Sequence, residues 1–384
     1  MRLRTGVAAV AVTLVIATVV MWPYVRVTSF VVRAASIGGW VERGARTITV
    51  PFVEATETVP TRYGPVRARL YRPTDTPMRA ALLVSGMHGA GIDEPRLIRL
   101  AREIAASGWA VLTPEVPDLL AYHLTPRSTD IIEDAGVWLA GRRELVPDGR
   151  IGMLGISFSG GLSIVAAARR SLREHTRFVF SFGGHGDLPR VLKYLCTGVE
   201  PEIDGQMHKH PPHDYGLAIV TFGVAEHLVP PEQVEPFRES VRTFLEASNL
   251  AVVNPRQAET IFVRARGLER LLPEPSQTLM HYVNERNVSK LGSRLLPYID
   301  AYGHDPSLSP ERSAAPDAPV FLLHGADDNV IPTAETILLS RWLDGKTSVR
   351  IFLSRSITHV NVTQHTTLAD YWGLISFWRT MLAQ

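Results

Sequence analysis

The chain has 384 residues, of which 45% are hydrophobic and 20% are charged, and its formal net charge at pH 7 is +2. This near-neutral balance gives no support for nucleic-acid binding, which favours a strongly basic surface, and we expect no nucleic-acid partner. The length suffices for one large domain with an insertion or for two smaller domains. The single cysteine, Cys196, excludes an internal disulfide. The residues around it lack the signature of a cysteine nucleophile, so we expect a small buried hydrophobe there.

The N-terminal segment predicts a membrane anchor. Residues 6–25 carry no charged side chain and are about long enough to span a bilayer as a helix. Trp22 and Tyr24 stand at the far end of this run, where aromatic rings suit a membrane interface. A cleaved signal peptide is the alternative, but the run is long and no small-residue cleavage pattern follows it. We predict a single-pass anchor and a juxtamembrane helix in residues 1–46.

The orientation of this anchor is weakly determined, because basic residues lie on both sides of the apolar run. A short N-terminal tail before one span favours a body outside the cytoplasm. Apolar residues then recur at helical spacing from Val27 to Val41. This second pattern predicts a helix that either lies along the membrane surface or packs against the body of the protein, and the sequence leaves both alternatives open.

From residue 47 the pattern changes to strands that alternate with helices. β-branched or alternating residues predict the first two strands, and a continuous apolar run predicts a strand covered on both faces. Alternation of this kind is typical of βαβ units and a mostly parallel sheet. The predicted strands are 49–57, 66–71, 80–84 and 109–113, and the predicted helices are 95–106 and 129–143.

The next strand leads into a turn that contains two serines. Residues 151–154 form a short apolar run, and the sequence GISFS at 155–159 precedes a helix-compatible segment. A strand, a tight turn with a serine at its tip and a helix form a nucleophile elbow, which projects the serine hydroxyl into a site. This interpretation makes Ser157 the nucleophile, with Ser159 as the alternative. Because Ser159 stands where glycine is usual, we expect its Cβ to add strain. A serine-containing turn without chemistry is the remaining alternative.

The second half of the chain contains a long helical insertion. Residues 178–182 and 320–323 are apolar strand signals, and the segment between them is too long for a structureless loop. Apolar residues at helical spacing inside it predict helices at 231–249, 261–272 and 279–296. We therefore expect a mainly helical cap at 187–315. The chain should end with a helix at 333–343, a strand at 349–353 and a helix at 366–382.

At this point the chain resembles the α/β-hydrolase superfamily. The resemblance is carried by the turn GISFSGG, the segment PVFLLHGADDNVIP at 319–332 and a histidine after the last strand, in the family's order of Ser, Asp and His. It covers residues 47–186 and 316–384, with the cap inserted between them. It implies an α/β fold with a mostly parallel central sheet flanked by helices.

The resemblance also implies a catalytic triad. Asp328 follows its strand, at the carboxyl end of the sheet where sites form, and the family pattern HGxxD favours it over Asp327. His359 lies in the loop after the last predicted strand, whereas His365 is further on. Ser157 would then be the nucleophile, with His359 as its base and Asp328 orienting the imidazole.

Backbone N–H groups are expected to stabilise the oxyanion of such a reaction. Phe158, directly after the predicted nucleophile, is one expected donor. The resemblance points to Met87, in the loop after strand 80–84, as the other, and His88 is the alternative. His88 and His185 are also candidate contacts to substrate, although His185 could equally be a turn residue.

Several histidines in the predicted cap suggest a metal site at first sight. Imidazole and carboxylate groups are both metal ligands, but prolines make this segment an irregular loop and no cysteine accompanies it. We therefore predict no metal and no cofactor, and expect the loop to lend a polar contact to substrate. The residues concerned are His208, His210, His213 and Asp214.

Taken together, these features predict a serine hydrolase that cleaves a small-molecule or lipid-like carboxylic ester, with the cap shaping an apolar pocket. A serine peptidase resembling the prolyl oligopeptidase group is the nearest alternative, although no propeller-like repeat is present. A non-catalytic binding protein on a hydrolase scaffold is the other. The sequence does not fix the acyl group, the leaving group or the oligomeric state.

Overall fold

The computed structural model describes residues 20–36, 38–77, 79–355, 357–358, 361–362 and 368–384. An eight-stranded sheet lies at the centre of this part of the chain, with helices packed against it. The prediction of a mostly parallel central sheet flanked by helices is confirmed.

The strands of the central sheet follow the apolar runs of the sequence. Their spatial order is β1-β2-β4-β3-β5-β6-β7-β8. β2 is antiparallel to both of its neighbours, and the pairs from β4 to β8 are parallel. The bounds are β1 Phe52–Val59, β2 Val66–Pro73, β3 Ala80–Val84, β4 Ala110–Pro114, β5 Ile151–Ile156, β6 Thr176–Phe182, β7 Val320–Gly325 and β8 Val349–Ser354, and a separate pair comprises β9 Ile357–Thr358 and β10 Asn361–Val362.

The side chains of the central strands alternate between two hydrophobic cores. In β3, Leu82 and Val84 belong to one core, whereas Leu83 belongs to the core on the opposite face of the sheet. This alternation is the period of two that every strand imposes on its side chains. Strands β3, β4 and β7 are buried at every position because helices cover both faces. The sheet therefore has two separate apolar faces.

The described residues contain sixteen α-helices, and eight of them, α7 to α14, lie between β6 and β7. The helices are α1 at 20–34, α2 Gly39–Arg46, α3 Pro95–Ala105, α4 Pro117–Leu120, α5 Pro126–Gly141, α6 Phe158–Ala168, α7 Leu188–Thr197, α8 Asp214–Gly223, α9 Ala225–Leu228, α10 Pro231–Ala251, α11 Pro255–Glu269, α12 Ser276–Asn284, α13 Val288–Leu295, α14 Ile299–Gly303, α15 Thr333–Leu343 and α16 Leu368–Leu382.

Two of the helices predicted in the insertion, 231–249 and 261–272, correspond to α10 and α11, and the rest of the insertion differs from the prediction. The helix predicted at 279–296 is two helices, α12 and α13. Arg286 between them has φ 52, outside helical backbone, and the Asn287 side chain accepts from the N–H of Lys290 to begin α13. Helices α7 and α8 were not predicted. The division into a core and a cap at 187–315 stays a prediction.

The N-terminal helix α1 packs against the body of the protein. Val27, Phe30 and Val31 are buried in the core that also contains α16. The rings of Phe30 and Trp378 meet edge to face with centroids 4.7 Å apart. Of the two alternatives for the residues after the apolar run, the described structure therefore has the packed helix.

A buried ion pair fixes α1 to α3. Arg33 is 1% exposed, and its guanidinium contacts the carboxylate of Glu103. The same guanidinium donates to the hydroxyls of Ser29 at 3.3 Å and Ser107 at 3.2 Å. A buried charge is costly unless it is paired and hydrogen-bonded. The pair of Arg33 and Glu103 therefore holds α1 against α3.

The predicted membrane anchor is not supported by the structure. Residues 6–19 of that run lie outside the described residues. Residues 20–34 lie in helix α1, which packs against the body. In the part of the chain that can be described, no helix combines the length and apolar character needed to cross a membrane. The prediction of a single-pass anchor that holds the body outside the cytoplasm is therefore wrong.

Replacing Arg33 tests how firmly α1 is docked. Arg33→Ala leaves the carboxylate of Glu103 buried without its main partner, so we expect the free energy of unfolding to fall by about 3 to 5 kcal/mol. Urea titration followed by circular dichroism measures this change.

Arg46→Ala is the matched control, because Arg46 is 55% exposed and lies 3.7 Å from the same carboxylate. Its effect should stay under about 1 kcal/mol. Equal effects of the two variants would contradict the conclusion that the buried ion pair is the main polar interaction between α1 and α3. The double variant Arg33→Met with Glu103→Leu should recover most of the lost stability.

Candidate active site

The turn between β5 and α6 places Ser157 in a strained backbone conformation. Ser157 has φ 57 and ψ −133, a region that residues other than glycine rarely adopt. Its N–H donates to the carbonyl of Phe182, at the end of β6, at 2.7 Å. The arrangement of strand, sharp turn and helix is that of a nucleophile elbow.

The two residues that flank the turn have different roles. A Cβ at Gly155 would lie 2.2 Å from the backbone oxygen of Ser159, so only glycine fits there. The Ser159 hydroxyl is fully buried, accepts from the N–H of Ile156 at 2.8 Å, and lies 3.0 Å from the carbonyl of Val84. Ser159 therefore holds the turn together and does not face the cavity described next. We expected this side chain only to strain the turn, but its hydroxyl also adds hydrogen bonds that hold the turn together.

Ser157 lines a cavity of about 780 Å³ at the carboxyl end of the sheet. A cavity of this size is in the range of small-molecule sites. The loop after β3 contributes Met87 and His88 beside the serine. Further lining comes from α1, α3 and α16 on one side, from α8 and α10 on another, and from Asp327 and Asn329 after β7.

The loop after β3 runs directly past the serine. A methyl group built on Gly86 would lie 3.4 Å from the Cβ of Ser157, and Met87 is the next residue of this loop. Among the described residues, the N–H groups of Met87 and Phe158 have no hydrogen-bond acceptor. Phe158 is the first residue of α6, where an N–H has no partner within the helix.

Two tyrosines fix this loop from outside. The hydroxyl of Tyr215, in α8, donates to the carbonyl of Met87. The hydroxyl of Tyr122 accepts from the N–H of Gly89 at 3.1 Å and from the amide of Asn249 at 2.9 Å. Burial raises the pKa of Tyr215 well above its usual value, so its hydroxyl stays a donor.

His88 lies in the cavity wall as a largely buried imidazole. Its Nδ1 accepts from the N–H of Ala90 at 3.0 Å. Burial lowers the pKa of His88, and the positive charge of Arg96 acts in the same direction, whereas Glu94 opposes them. His88 is therefore neutral at pH 7 and presents a polar group to the cavity.

The predicted acid lies after β7, where the sequence places it. Asp328 is 3% exposed, and its Oδ1 accepts from the N–H groups of Val330 at 2.9 Å and Ile331 at 3.1 Å. Its Oδ2 lies 3.3 Å from Nε2 of His324, a buried histidine of the same motif that the sequence analysis did not use. The alternative acid, Asp327, lines the cavity. The two neighbouring carboxylates thus have different environments.

The predicted base cannot be placed in the same way. Strand β8 ends at Ser354, and His359 and His365 both lie outside the described residues. Their assignment remains the prediction made from the sequence.

His185 is not brought to the cavity. Its side chain is fully buried beneath α6, with Nε2 2.7 Å from the carbonyl of Leu308 and its ring 5.6 Å from that of Phe158. Burial lowers the pKa of His185 to about 4, so the imidazole is neutral. A Cβ on Gly161 would clash with this ring at 2.6 Å, which shows how closely helix and histidine pack. His185 is a packing residue because the chain turns under α6 after β6.

The histidines of the insertion are held apart. His208 pairs with Asp204, and His210 pairs with Glu200 at 2.9 Å. Within the described residues, no group of three or more His, Cys, Asp or Glu side chains is arranged to hold a metal ion. Of these histidines, His213 lines the cavity. A contact from this loop to substrate stays a prediction.

Several cavity residues were missed by the sequence analysis. Tyr215 and Asn249 reach the site from α8 and α10, Val252 directly follows α10, and Phe30 and Ala34 reach it from α1. No local pattern distinguishes them, since each is a single residue on a helix whose position depends on distant packing.

Comparison with known proteins gives likeness in structure but not in sequence. No protein-family model and no curated protein matches this sequence. Among solved structures, a hyperthermophilic esterase from Pyrobaculum calidifontis is 16% identical, with 87% of this chain and 82% of that chain covered and a TM-score of 0.43. Est1E from Butyrivibrio proteoclasticus is 13% identical, with 86% and 99% covered and a TM-score of 0.44. A putative dienelactone hydrolase from Klebsiella pneumoniae is 13% identical, with 87% and 98% covered and a TM-score of 0.42.

The fold itself rests on the features of this chain. The sheet is mostly parallel with an antiparallel strand near one edge, and the strained serine turn joins a central strand to a buried helix. A buried aspartate follows a later strand at the same end of the sheet. The chain therefore has the α/β-hydrolase fold, as the resemblance in its sequence implied.

Proposed function

We propose that the protein is a serine hydrolase that cleaves carboxylic esters through Ser157, Asp328 and His359. The observation that carries this proposal is the strained backbone of Ser157, a residue that lines the cavity. Strain of this kind costs about 1 to 3 kcal/mol and persists at functional sites. A turn with a purely structural role would not need a serine at positive φ that lines a cavity.

The proposed mechanism is acyl transfer to water. His359 takes the proton of the Ser157 hydroxyl while the serine oxygen attacks the ester carbonyl, and the imidazolium then protonates the departing alcohol. Water attacks the acyl-enzyme in the same way and releases the acid. Asp328 is the proposed partner of His359, and its buried carboxylate is already oriented by two backbone N–H groups.

Two backbone groups are proposed to stabilise the tetrahedral oxyanion. Met87 lies in the loop that passes Ser157, and Phe158 directly follows the serine; the N–H groups of both have no acceptor among the described residues. Removing one such donor in other enzymes lowers kcat by about a hundred- to a thousandfold. Neutral His88 supplies a further polar contact to substrate in this proposal.

The helical segment 187–315 is proposed to act as a cap over this site. It supplies His213, Tyr215 and Asn249 to the cavity wall. Helices α8 and α10, which carry Tyr215 and Asn249, pack in a different core from α1. In this proposal the cap therefore contributes to the choice of substrate.

Covalent labelling tests the proposed nucleophile. A fluorophosphonate probe should form an adduct on Ser157 in the full-length protein, identified by peptide mapping. His359→Ala should slow labelling by at least about a hundredfold, because the base would be absent.

Ser163→Ala is the matched control for this experiment. Ser163 is buried on α6, the helix that follows Ser157, and its hydroxyl has no partner among the described residues. Its loss should therefore leave labelling unchanged. A folded wild-type protein that takes up no probe would overturn the proposed function.

Ser159→Ala separates the two alternatives for the serine turn. The variant leaves the N–H of Ile156 without its acceptor, so we expect a loss of about 1 to 3 kcal/mol in the free energy of unfolding. Peptide mapping of the folded fraction should still find the adduct on Ser157. An adduct in the wild type on Ser159 would instead make that residue the nucleophile.

Tyr215→Phe tests whether the oxyanion loop is held by α8. Loss of the hydrogen bond to the carbonyl of Met87 should let the loop shift and lower kcat by about tenfold, with little change in KM, because the oxyanion forms only after binding. Steady-state kinetics on a short ester measures both constants.

Tyr302→Phe is the control for that variant. Tyr302 is a half-buried tyrosine, and its hydroxyl accepts from the N–H of Leu124 at 3.0 Å. It should lower stability without lowering kcat. An equal fall of kcat in both variants would show a general effect of a lost buried hydroxyl and would contradict a positioning role for Tyr215.

A further inference from the structure

One part of the cavity has walls formed by helices that lie outside the helical insertion. From Ser157 the cavity continues between α1, α3 and α16. We call this part the apolar lobe. Its lining residues are Phe30, Val31, Ala34, Leu97, Leu100, Ile156, Phe182, Leu323, Leu374 and Trp378.

The floor of the apolar lobe is the upper layer of a hydrophobic core. Ile156, Phe182 and Leu323 are near or at the ends of β5, β6 and β7, and each lies two residues beyond a buried residue of the core shared with α1 and α16. The period of two places them on the same face of the sheet. Ile156 and Phe182 are half-buried rather than buried, because here the core opens into the cavity.

The walls of the apolar lobe come from three helices that pack on that face. Phe30 and Ala34 are one helical turn apart on α1 and therefore project from the same side of the helix. Leu97 and Leu100 of α3 and Trp378 of α16 complete the walls. Two polar pairs also line the cavity on or next to α1 and α3: Arg99 donates to the hydroxyl of Ser36 at 3.0 Å, and Arg96 pairs with Glu94 at 2.7 Å.

Apart from these two pairs, the polar residues that line the cavity come from elements other than α1, α3 and α16. His88, His213 and Asn249 line the cavity from the loop after β3 and from the helical insertion. A charged or hydrogen-bonding part of a ligand would lack partners in the apolar lobe and would be costly there. A hydrocarbon chain gains about 0.8 kcal/mol for each buried methylene.

We propose that the apolar lobe binds the hydrocarbon tail of a long-chain acyl ester, with α1 as the element that sets the accepted chain length. This inference rests on the proposed function, because it places the ester carbonyl at Ser157. Ala34 is the most sensitive position. It is a small, half-buried residue, so a larger side chain there would occupy the lobe.

A chain-length series tests the apolar lobe. For the wild type, kcat/KM on p-nitrophenyl esters from acetyl to dodecanoyl should rise by about fourfold per methylene until the lobe is full. In Ala34→Trp, the ratio of kcat/KM for the decanoyl ester to that for the acetyl ester should fall by at least about tenfold, since the indole takes the place of several methylenes.

Val25→Trp is the matched control on the same helix. Val25 is 39% exposed and does not line the cavity, so its replacement should leave the ratio unchanged. If Ala34→Trp does not fold, Ala34→Leu adds less volume and should give a smaller fall of the same ratio. Ester hydrolysis with the same ratio in the wild type and in folded Ala34→Trp or Ala34→Leu would overturn the inference.

Binding of decanoate separates this inference from the proposed function. Calorimetry on Ser157→Ala, with and without Ala34→Trp, needs no catalysis. Decanoate should bind to the single variant at least about tenfold more tightly than to the double variant. If the wild type cleaves no ester but this difference is found, the hydrolase proposal fails and the apolar lobe remains a hydrocarbon site. If decanoate does not bind to the single variant, the inference is overturned, whichever esters are cleaved.

Discussion

The backbone of Ser157 is held at positive φ by contacts that join three neighbouring strands. Its N–H bonds to Phe182 at the end of β6, and the Ser159 hydroxyl lies between Ile156 of β5 and Val84 of β3. Strain of this kind survives only where surrounding contacts over-determine the backbone. Because the loop that carries Met87 directly follows Val84, these contacts also fix the distance between the serine and its proposed oxyanion donors.

The central part of this arrangement could be predicted from sequence. The strands β3 and β7 and the helix α15 lie where apolar runs and helical spacing place them, since strands buried on both faces are continuous apolar runs. The turn at Ser157 was found from the strand before it and the small residue Gly155. The role of Ser159 could not be predicted, because its hydroxyl bonds to a backbone N–H and a carbonyl that come together only in the folded sheet. A departure from the usual glycine therefore proved to be a hydrogen-bonded part of the turn.

Other features depend on contacts that a single sequence does not reveal. Arg33 is one of the basic residues that follow the apolar run at 6–25, and nothing in the sequence indicates that its partner is Glu103, on another helix. Helix α8 was missed because every residue after Asp214 is buried, which leaves no polar face and no helical period. His185 follows a strand at the expected end of the sheet, but the chain then passes beneath α6. Sequence places a residue at an edge of the sheet, and packing decides which way its side chain points.

The two faces of the sheet give the proposed site two chemically different sides. The core beneath the helical insertion includes Met87 and Tyr215, and polar groups reach the cavity from that side. The core on the other face ends in Ile156 and Phe182 and is covered by α1. An ester bond joins an apolar acyl chain to an alcohol, so a serine at the junction of a polar and an apolar wall can orient it in one direction. On this argument α1 belongs to the proposed site as much as to the fold: the ion pair of Arg33 that docks the helix also holds the wall against which the acyl chain would lie.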